Sequence, residues 1–285
     1  MTPDHPAAVE ISRLEFDVVW EHLRLGPFPT VYRMLGHGRT HRERALLVDQ
    51  AWQSLLARNL GRPAAPDPLL SALLTVLARP HRVVDARIGH RGAEVRALAG
   101  VTVAGVTVAG AGGQQERAAL GVLDGRGFRI TEITPGGLSR AAVGLLPPHP
   151  AGQGHSLTMP SRLFEHACQA SGDTAGRLRA ALRQRGMRPA DADQLAAALD
   201  GAFGGGQFGV AVRDRWGRRH RGGYVVGFVD TAAGRYLLES KPAASGGQRW
   251  TTVAPADSPR LAAGIDRLLA LLDGSPAGAD GPPDR

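Results

Sequence analysis

The 285-residue sequence predicts an α+β fold of two quasi-symmetric lobes, each an antiparallel sheet flanked by helices. Two observations predict it. Segments with the hydrophobic spacing of helices precede segments that alternate like strands, and this order occurs once in each half of the chain. The connections between neighbouring strand candidates are short, which favours antiparallel pairing. The halves share this order of elements but no evident sequence identity.

Helix candidates open the first lobe. A capping box at Ser12 begins the first helix, which ends near Gly26. A second box at Thr40 begins another helix, and Asp67 followed by proline begins a third. The segment 30–35, rich in apolar and β-branched residues, is a short strand candidate between the first two helices.

The hydrophobic period then changes from helical to two. Strand candidates follow at 83–88, 93–99, 117–123 and 127–134. Asp124-Gly125 is a hairpin turn signal between the last two. The sequence VTVAG occurs at 101–105 and again at 106–110. This repeat either extends a strand or forms an insertion, and the sequence favours neither.

A stretch rich in proline and glycine at 145–154 indicates a break between the lobes. We therefore predict a first lobe at 1–146, a linker at 147–155, a second lobe at 156–273 and a disordered tail at 274–285, with both lobes in one domain. The second lobe has three helix candidates near 160–171, 174–185 and 189–201, four strand candidates near 207–214, 223–230, 234–239 and 249–254, and a last helix from Ser258.

Composition limits the classes of function. The net charge of +8 favours acidic partners. Cys168 is the only cysteine, so an intramolecular disulfide is excluded and a metal site would need His and carboxylate ligands. The sequence shows neither a secretory signal nor an apolar run of membrane-spanning length, and we expect a cytoplasmic protein.

Catalytic and cofactor motifs are absent from the sequence. It contains no P-loop and no G-x-S-x-G, and the glycines at 110, 112 and 113 do not form a dinucleotide-binding G-x-G-x-x-G, because position 115 is Gln. His37 and His41 have metal-ligand spacing, but glycines flank His37, so a surface loop is the better interpretation. We therefore predict a protein without catalytic residues, cofactor or metal. An enzyme remains an alternative only through scattered histidines and carboxylates.

The most basic stretch, GQFGVAVRDRWGRRHRGGYVVGFVD at 206–230, places five arginines around Trp216 at a hairpin tip. One interpretation is a solvated loop. Another is a contact with an anion or a partner, with Arg215, Trp216 and Arg218 as candidate binding residues. An arginine-rich nucleic-acid-binding protein is the alternative function, although aromatic residues make up only 5% of the chain and no nucleic-acid-binding motif is present.

A set of motifs across nearly the whole chain resembles the EspG family, the secretion-associated proteins of actinobacterial type VII (ESX) systems. The stretches that carry the resemblance are FDVVWEHLRLGPFPTVYRM (16–34), GRTHRERALLVDQAWQSL (38–55), GQFGVAVRDRWGRRHR (206–221), VVGFVDTAAGRYLLE (225–239) and WTTVAPADSPRL (250–261). The combination of QFG, a basic hairpin, D-T-x-x-G-R-Y and V-A-P-A-D is specific, whereas no single motif is.

This resemblance implies a cytosolic chaperone that binds secreted PE–PPE heterodimers by the tip of PPE, keeps them soluble and directs them to the secretion machinery. It implies a client surface formed by a sheet face, the helices of the second lobe and a strand-connecting loop. We place Gly89, His90, Arg91 and Gly92 in that loop; a plain hairpin turn is the alternative for these residues. Another small helical ESX substrate is the alternative client.

Overall fold

The structure, a computed structural model, describes residues 8–34, 36–108, 111–171, 174–243 and 247–274. Helices and antiparallel strands in these residues confirm the predicted α+β class. The predicted disordered tail lies outside the described residues from residue 275 onwards. Within the described ranges, no helix is long and apolar enough to span a bilayer.

The chain divides into two compact units that exchange short segments of sequence. The first unit contains Met1–Ala86, Glu94–Ala142 and Val212–Arg218. The second contains Arg87–Ala93, Val143–Ala211 and Arg219–Arg285. Two of these segments are short and contain the candidate partner-binding residues: Arg87–Ala93 in the second unit and Val212–Arg218 in the first. The predicted linker at 147–155 stays a prediction.

Three helices of the first unit begin where the capping residues predict them: α1 (Arg13–His22), α2 (His41–Ala57) and α3 (Pro68–Ala78). The short helix α4 (Leu138–Val143) was not predicted. The Ser12 hydroxyl accepts the Glu15 N–H at 3.1 Å, and the Glu15 carboxylate accepts the Ser12 N–H at 2.6 Å. The Thr40 side chain accepts the Glu43 N–H, and the Asp67 side chain accepts the Leu70 N–H, each from the residue three positions later. These bonds satisfy N–H groups that a helix leaves without partners, which is why the local sequence determines each start.

The strand predicted at 30–35 is wrong, because Thr30–Tyr32 forms a short 3₁₀ helix. The Tyr32 hydroxyl donates to the Gly121 carbonyl at 2.7 Å, and its ring meets those of Phe16 and Phe128 edge-on. Burial of this side chain in the aromatic core sets the backbone and overrides the β propensity of its neighbours.

The sheet of the first unit is antiparallel and includes a long hairpin. Its strands are β1 (Val9–Ile11), β4 (Arg82–His90), β5 (Ala93–Val108), β6 (Ala111–Leu123) and β7 (Phe128–Ile133), in the order β1-β7-β6-β5-β4; β2 (Gly61–Arg62) and β3 (Ala65–Pro66) pair separately. The end of β4, from Arg87 onwards, and the first residue of β5 belong to the second unit. Pairing of β5 with β6 continues to Val108 and Ala111, so the VTVAG repeat extends the strands. β7 pairs with β6 only from Ala118 onwards, so the hairpin continues past its neighbour on that side.

The second unit combines an antiparallel sheet with four helices. Its elements are β8 (Leu157–Pro160), α5 (Ser161–Ser171), α6 (Ala175–Gln184), α7 (Pro189–Leu199), β9 (Gly204–Arg213), β10 (Arg219–Arg221), β11 (Val226–Thr231), β12 (Gly234–Pro242), β13 (Arg249–Pro255) and α8 (Ser258–Asp273). The order is β9-β11-β12-β13-β8. All four predicted helices and four predicted strands are present. The sequence missed two short strands, the four-residue β8, which leads directly into α5, and the three-residue β10.

Candidate partner-binding site

The residues Gly89 to Gly92 form the tip of the hairpin between β4 and β5. Arg91 and Gly92 are the two central turn residues, with φ of +46° and +82°. Positive φ at both positions defines a type I′ turn, whose twist matches the strands of a tight hairpin. The first position of such a turn is usually Asn, Asp or Gly, so Arg91 is exceptional there. We call residues 89–92 the β4–β5 turn.

An aromatic residue distant in sequence supports the β4–β5 turn. The Arg91 N–H donates to the Phe203 carbonyl at 2.9 Å, and the Arg91 guanidinium carbon lies 5.3 Å from the centre of the Phe203 ring. The His90 ring meets Phe203 edge-on at 5.6 Å, and the His149 ring does so at 5.5 Å. The turn therefore rests on a half-buried ring with two imidazoles and a guanidinium around it.

A buried ion pair lies behind Phe203. The Asp230 carboxylate accepts two hydrogen bonds from the Arg235 guanidinium, at 2.7 and 2.8 Å, and the side chains are 1% and 0% exposed. The Asp230 carbonyl accepts the Phe203 N–H at 3.1 Å. Arg235 also donates to the Pro147 carbonyl at 2.9 Å. The D-T-x-x-G-R-Y motif thus stabilises the second unit and joins its interior to the ring beneath the turn.

Glycines in β9 allow the turn and its support to approach each other. A Cβ on Gly204 would lie 2.9 Å from the His90 ring nitrogen. A Cβ on Gly206 would lie 2.3 Å from the Arg87 carbonyl oxygen. A side chain at Gly206 would displace the backbone of β4, and one at Gly204 would displace the His90 ring, so the close approach explains two members of this glycine run.

The other candidate residues lie in the Arg–Trp turn, which we define as Asp214–Arg218. The Asp214 carboxylate accepts the N–H groups of Trp216 and Arg218, at 2.9 and 2.8 Å. The Asp214 carbonyl accepts the Gly217 N–H at 2.9 Å. An aspartate that bonds the backbone ahead of it is the usual closure of a short loop. Hydrogen bonds to Asp214 from residues two to four positions onwards therefore close this turn.

The Arg–Trp turn presents an arginine stacked on an exposed ring. The Arg215 guanidinium carbon lies 4.0 Å from the centre of the Trp216 ring, and Trp216 is 55% exposed. Arg218 is exposed as well. Arg213, by contrast, donates to the carbonyls of Pro80 and Gly217, so it holds the hairpin together. Arg213 therefore has a structural role, whereas Arg215 and Arg218 are exposed to solvent.

The candidates divide between the units: the β4–β5 turn belongs to the second, and Arg215, Trp216 and Arg218 belong to the first. Sequence reasoning did not identify Phe203 or His149, because neither follows a hydrophobic period or a known motif. The described part of the chain has no group of three His, Cys, Asp or Glu side chains arranged to hold a metal. His37 instead bonds to Asp17, with 3.0 Å between the ring nitrogen and the carboxylate.

Comparison with known proteins assigns the chain to a family. The sequence profile of the EspG family matches residues 12–267. The fold is similar to that of the Mycobacterium tuberculosis type VII secretion system chaperone EspG5, solved in complex with a PE25–PPE41 dimer. That similarity has a TM-score of 0.69 at 14% sequence identity and covers 92% of this chain and 96% of the other. No curated protein matches the sequence. The match over residues 12–267 shows that the chain belongs to the EspG family.

Proposed function

We propose that this protein is a cytoplasmic chaperone of type VII secretion that binds a PE–PPE heterodimer or a similar helical substrate and catalyses no reaction. The observation that carries the proposal is the family match over residues 12–267. The fold shared with EspG5, which is solved with a PE–PPE dimer, supports it. The chaperone covers apolar surface of the client and lowers the concentration of the free, aggregation-prone form by mass action.

Both candidate turns suit contact with a helical client. The C-terminal end of a helix exposes carbonyl groups that carry partial negative charge, and arginine side chains bind such acceptors. The β4–β5 turn presents exposed Arg91, and the Arg–Trp turn presents Arg215 and Arg218 beside an exposed Trp216. Their hydrogen bonds organise both turns before binding, which reduces the entropy that association would cost.

Co-expression tests the proposed function. The chain is produced with the PE25–PPE41 dimer and, separately, with PE–PPE-like pairs from its own genome. We expect a stoichiometric complex in size-exclusion chromatography with light scattering, and a larger soluble fraction of the client. A complex of standard size should bury about 1,600 Å² in total.

The control is a substitution of an exposed arginine outside both turns. Arg24 lies in the first unit, far in sequence from both turns, and Arg24→Ala should leave complex formation unchanged. The absence of any complex and of any gain in client solubility, across all pairs tested, would contradict the chaperone function.

A further inference from the structure

We propose that Phe203 is a positioning residue, which holds the Arg91 guanidinium in the orientation that contacts the client. The contact with a client rests on the chaperone function proposed above. The positioning itself is a property of the free protein and is tested without a client.

The conformation of Arg91 is the first observation. Its φ of +46° lies in the left-handed region, which is unfavourable for a residue with a long side chain. Nothing within the two-residue turn favours arginine over asparagine or glycine, which are the common residues at this position. An unfavourable backbone conformation persists where surrounding contacts impose it, and such positions cluster at functional sites.

Phe203 supplies those contacts at two atoms of the same residue. Its carbonyl accepts the Arg91 N–H at 2.9 Å, which fixes the backbone of the turn. Its ring lies 5.3 Å from the Arg91 guanidinium carbon, within the range of a cation–π interaction. One residue therefore restrains both the backbone and the charged end of Arg91.

The support is itself held by hydrogen bonds and ring contacts. The Phe203 N–H donates to the carbonyl of Asp230, whose carboxylate is in the buried ion pair with Arg235. The His149 ring packs against Phe203 edge-on, and its Nε2 donates to the Thr231 carbonyl at 3.0 Å. These contacts fix the ring, so the guanidinium above it loses conformational freedom before the client arrives.

The chemistry of the guanidinium indicates what it contacts. Its N–H donors lie at the edge of a planar group, so association of the group with a ring leaves edge donors available to an acceptor. Carboxylates and the carbonyls at a helix C-terminus are the acceptors that a helical client offers. Fixing the donors in advance reduces the entropy lost on binding and slows dissociation of the complex.

The first experiment uses the free protein and nuclear magnetic resonance. Phe203→Leu keeps an apolar side chain but removes the ring, Phe203→Tyr keeps the ring, and Trp216→Leu is the matched control beneath Arg215. We expect Phe203→Leu to move the Arg91 Nε–H resonance to the position of an unrestrained arginine. Exchange of the Arg91 backbone N–H should accelerate by about tenfold. Phe203→Tyr and Trp216→Leu should leave both signals unchanged.

Unchanged Arg91 signals in a folded Phe203→Leu variant would overturn the positioning role. Thermal unfolding of each variant establishes that it is folded. Should Phe203→Leu fail to fold, the chemical shift of the Arg91 Nε–H in the native chain decides the same question. A chemical shift away from the unrestrained value supports positioning, and a chemical shift at that value contradicts it.

The second experiment measures binding of the PE25–PPE41 dimer by calorimetry. We expect Phe203→Leu and Arg91→Leu each to raise Kd by about fivefold, with no further loss in the double variant, because both changes remove one interaction. Phe203→Tyr should bind like the native chain. Native binding that neither single variant weakens would overturn the contact by Arg91. If the native chain binds no PE–PPE pair, the proposed function fails, while the resonance experiment still decides the positioning.

Discussion

The β4–β5 turn and the Arg–Trp turn both present arginine beside an aromatic ring at a hairpin tip, but they are held in different ways. The ring under Arg91 comes from Phe203, and behind it lies the buried pair of Asp230 and Arg235. The ring under Arg215 is its neighbour Trp216, and Asp214 closes that turn through local hydrogen bonds. Similar surface chemistry can therefore depend on the interior of a protein or on a few consecutive residues.

This difference matters for how a change propagates. A substitution in the interior of the second unit should alter the β4–β5 turn, because Asp230 bonds to Phe203 and Phe203 bonds to Arg91. A substitution in the Arg–Trp turn should remain local, because its hydrogen bonds from Asp214 join residues two to four positions apart.

The largest expected effect is that of Asp230→Asn. The substitution leaves the fully buried Arg235 guanidinium without its carboxylate, and such changes cost about 3–5 kcal/mol of unfolding free energy. Urea unfolding measures the loss. The double variant Asp230→Leu, Arg235→Met should lose less than Asp230→Asn, because no buried charge is left unpaired.

The matched change in the other turn is Asp214→Asn, which keeps the side-chain oxygen that accepts the two N–H groups. It should cost less than about 0.5 kcal/mol. If Asp230→Asn lowers the unfolding free energy by no more than Asp214→Asn does, the two turns do not differ in their dependence on the protein interior.

Gly92→Ala and Gly217→Ala form a matched pair that separates folding from function. Their φ values are +82° and +79°, and a Cβ at either position would meet nothing within 4 Å. Each alanine should therefore cost about 1–2 kcal/mol through backbone strain alone. Thermal or urea unfolding checks this equality.

Binding of PE25–PPE41 should distinguish the two glycine variants. Gly92→Ala strains the turn that carries Arg91 and should weaken binding, whereas Gly217→Ala should weaken it less. Equal losses of affinity would show that both turns contact the client, and a loss for Gly217→Ala alone would remove the β4–β5 turn from the site.

Asp214→Ala should loosen the Arg–Trp turn without affecting the other. The two N–H groups that lose their acceptor lie in an exposed turn and can bond to water, so the expected cost is about 1 kcal/mol. Hydrogen exchange should accelerate at residues 216–218 and remain unchanged at residues 90–93. Faster exchange in both segments would show that the Arg–Trp turn is not independent.

The same distinction between local and distant support explains what the sequence could predict. The helix starts at Ser12, Thr40 and Asp67 depend on bonds to a residue three positions onwards, and all three predictions are confirmed. The Arg–Trp turn likewise depends on its own Asp214. Such features are visible in a short window of sequence.

Features that depend on distant residues were not predictable in this way. Tyr32 lies in a 3₁₀ helix because its hydroxyl reaches Gly121, 89 residues away. Phe203 lies beside Arg91 only because the end of β4, from Arg87 onwards, and its turn belong to the same unit as the chain around residue 203. The resemblance to the EspG family supplied the function, but no pattern in the sequence identified the residues that support the candidate turn.

A small effect on stability is also expected for Trp216→Ala, which tests what the Arg–Trp turn contacts. Trp216 is 55% exposed, so its loss should change the unfolding free energy by less than about 0.5 kcal/mol. Affinity for PE25–PPE41 should fall if the ring is an interface anchor, because buried tryptophans contribute much of the binding energy where they occur.

A single-stranded oligonucleotide is the second probe, measured by fluorescence anisotropy at several salt concentrations. Tight oligonucleotide binding that weakens steeply with salt and is lost in Trp216→Ala would indicate base stacking and phosphate contacts at this turn. We expect the opposite result, weak oligonucleotide binding that Trp216→Ala leaves unchanged, because the turn presents one aromatic ring and two arginines rather than a series of stacking platforms.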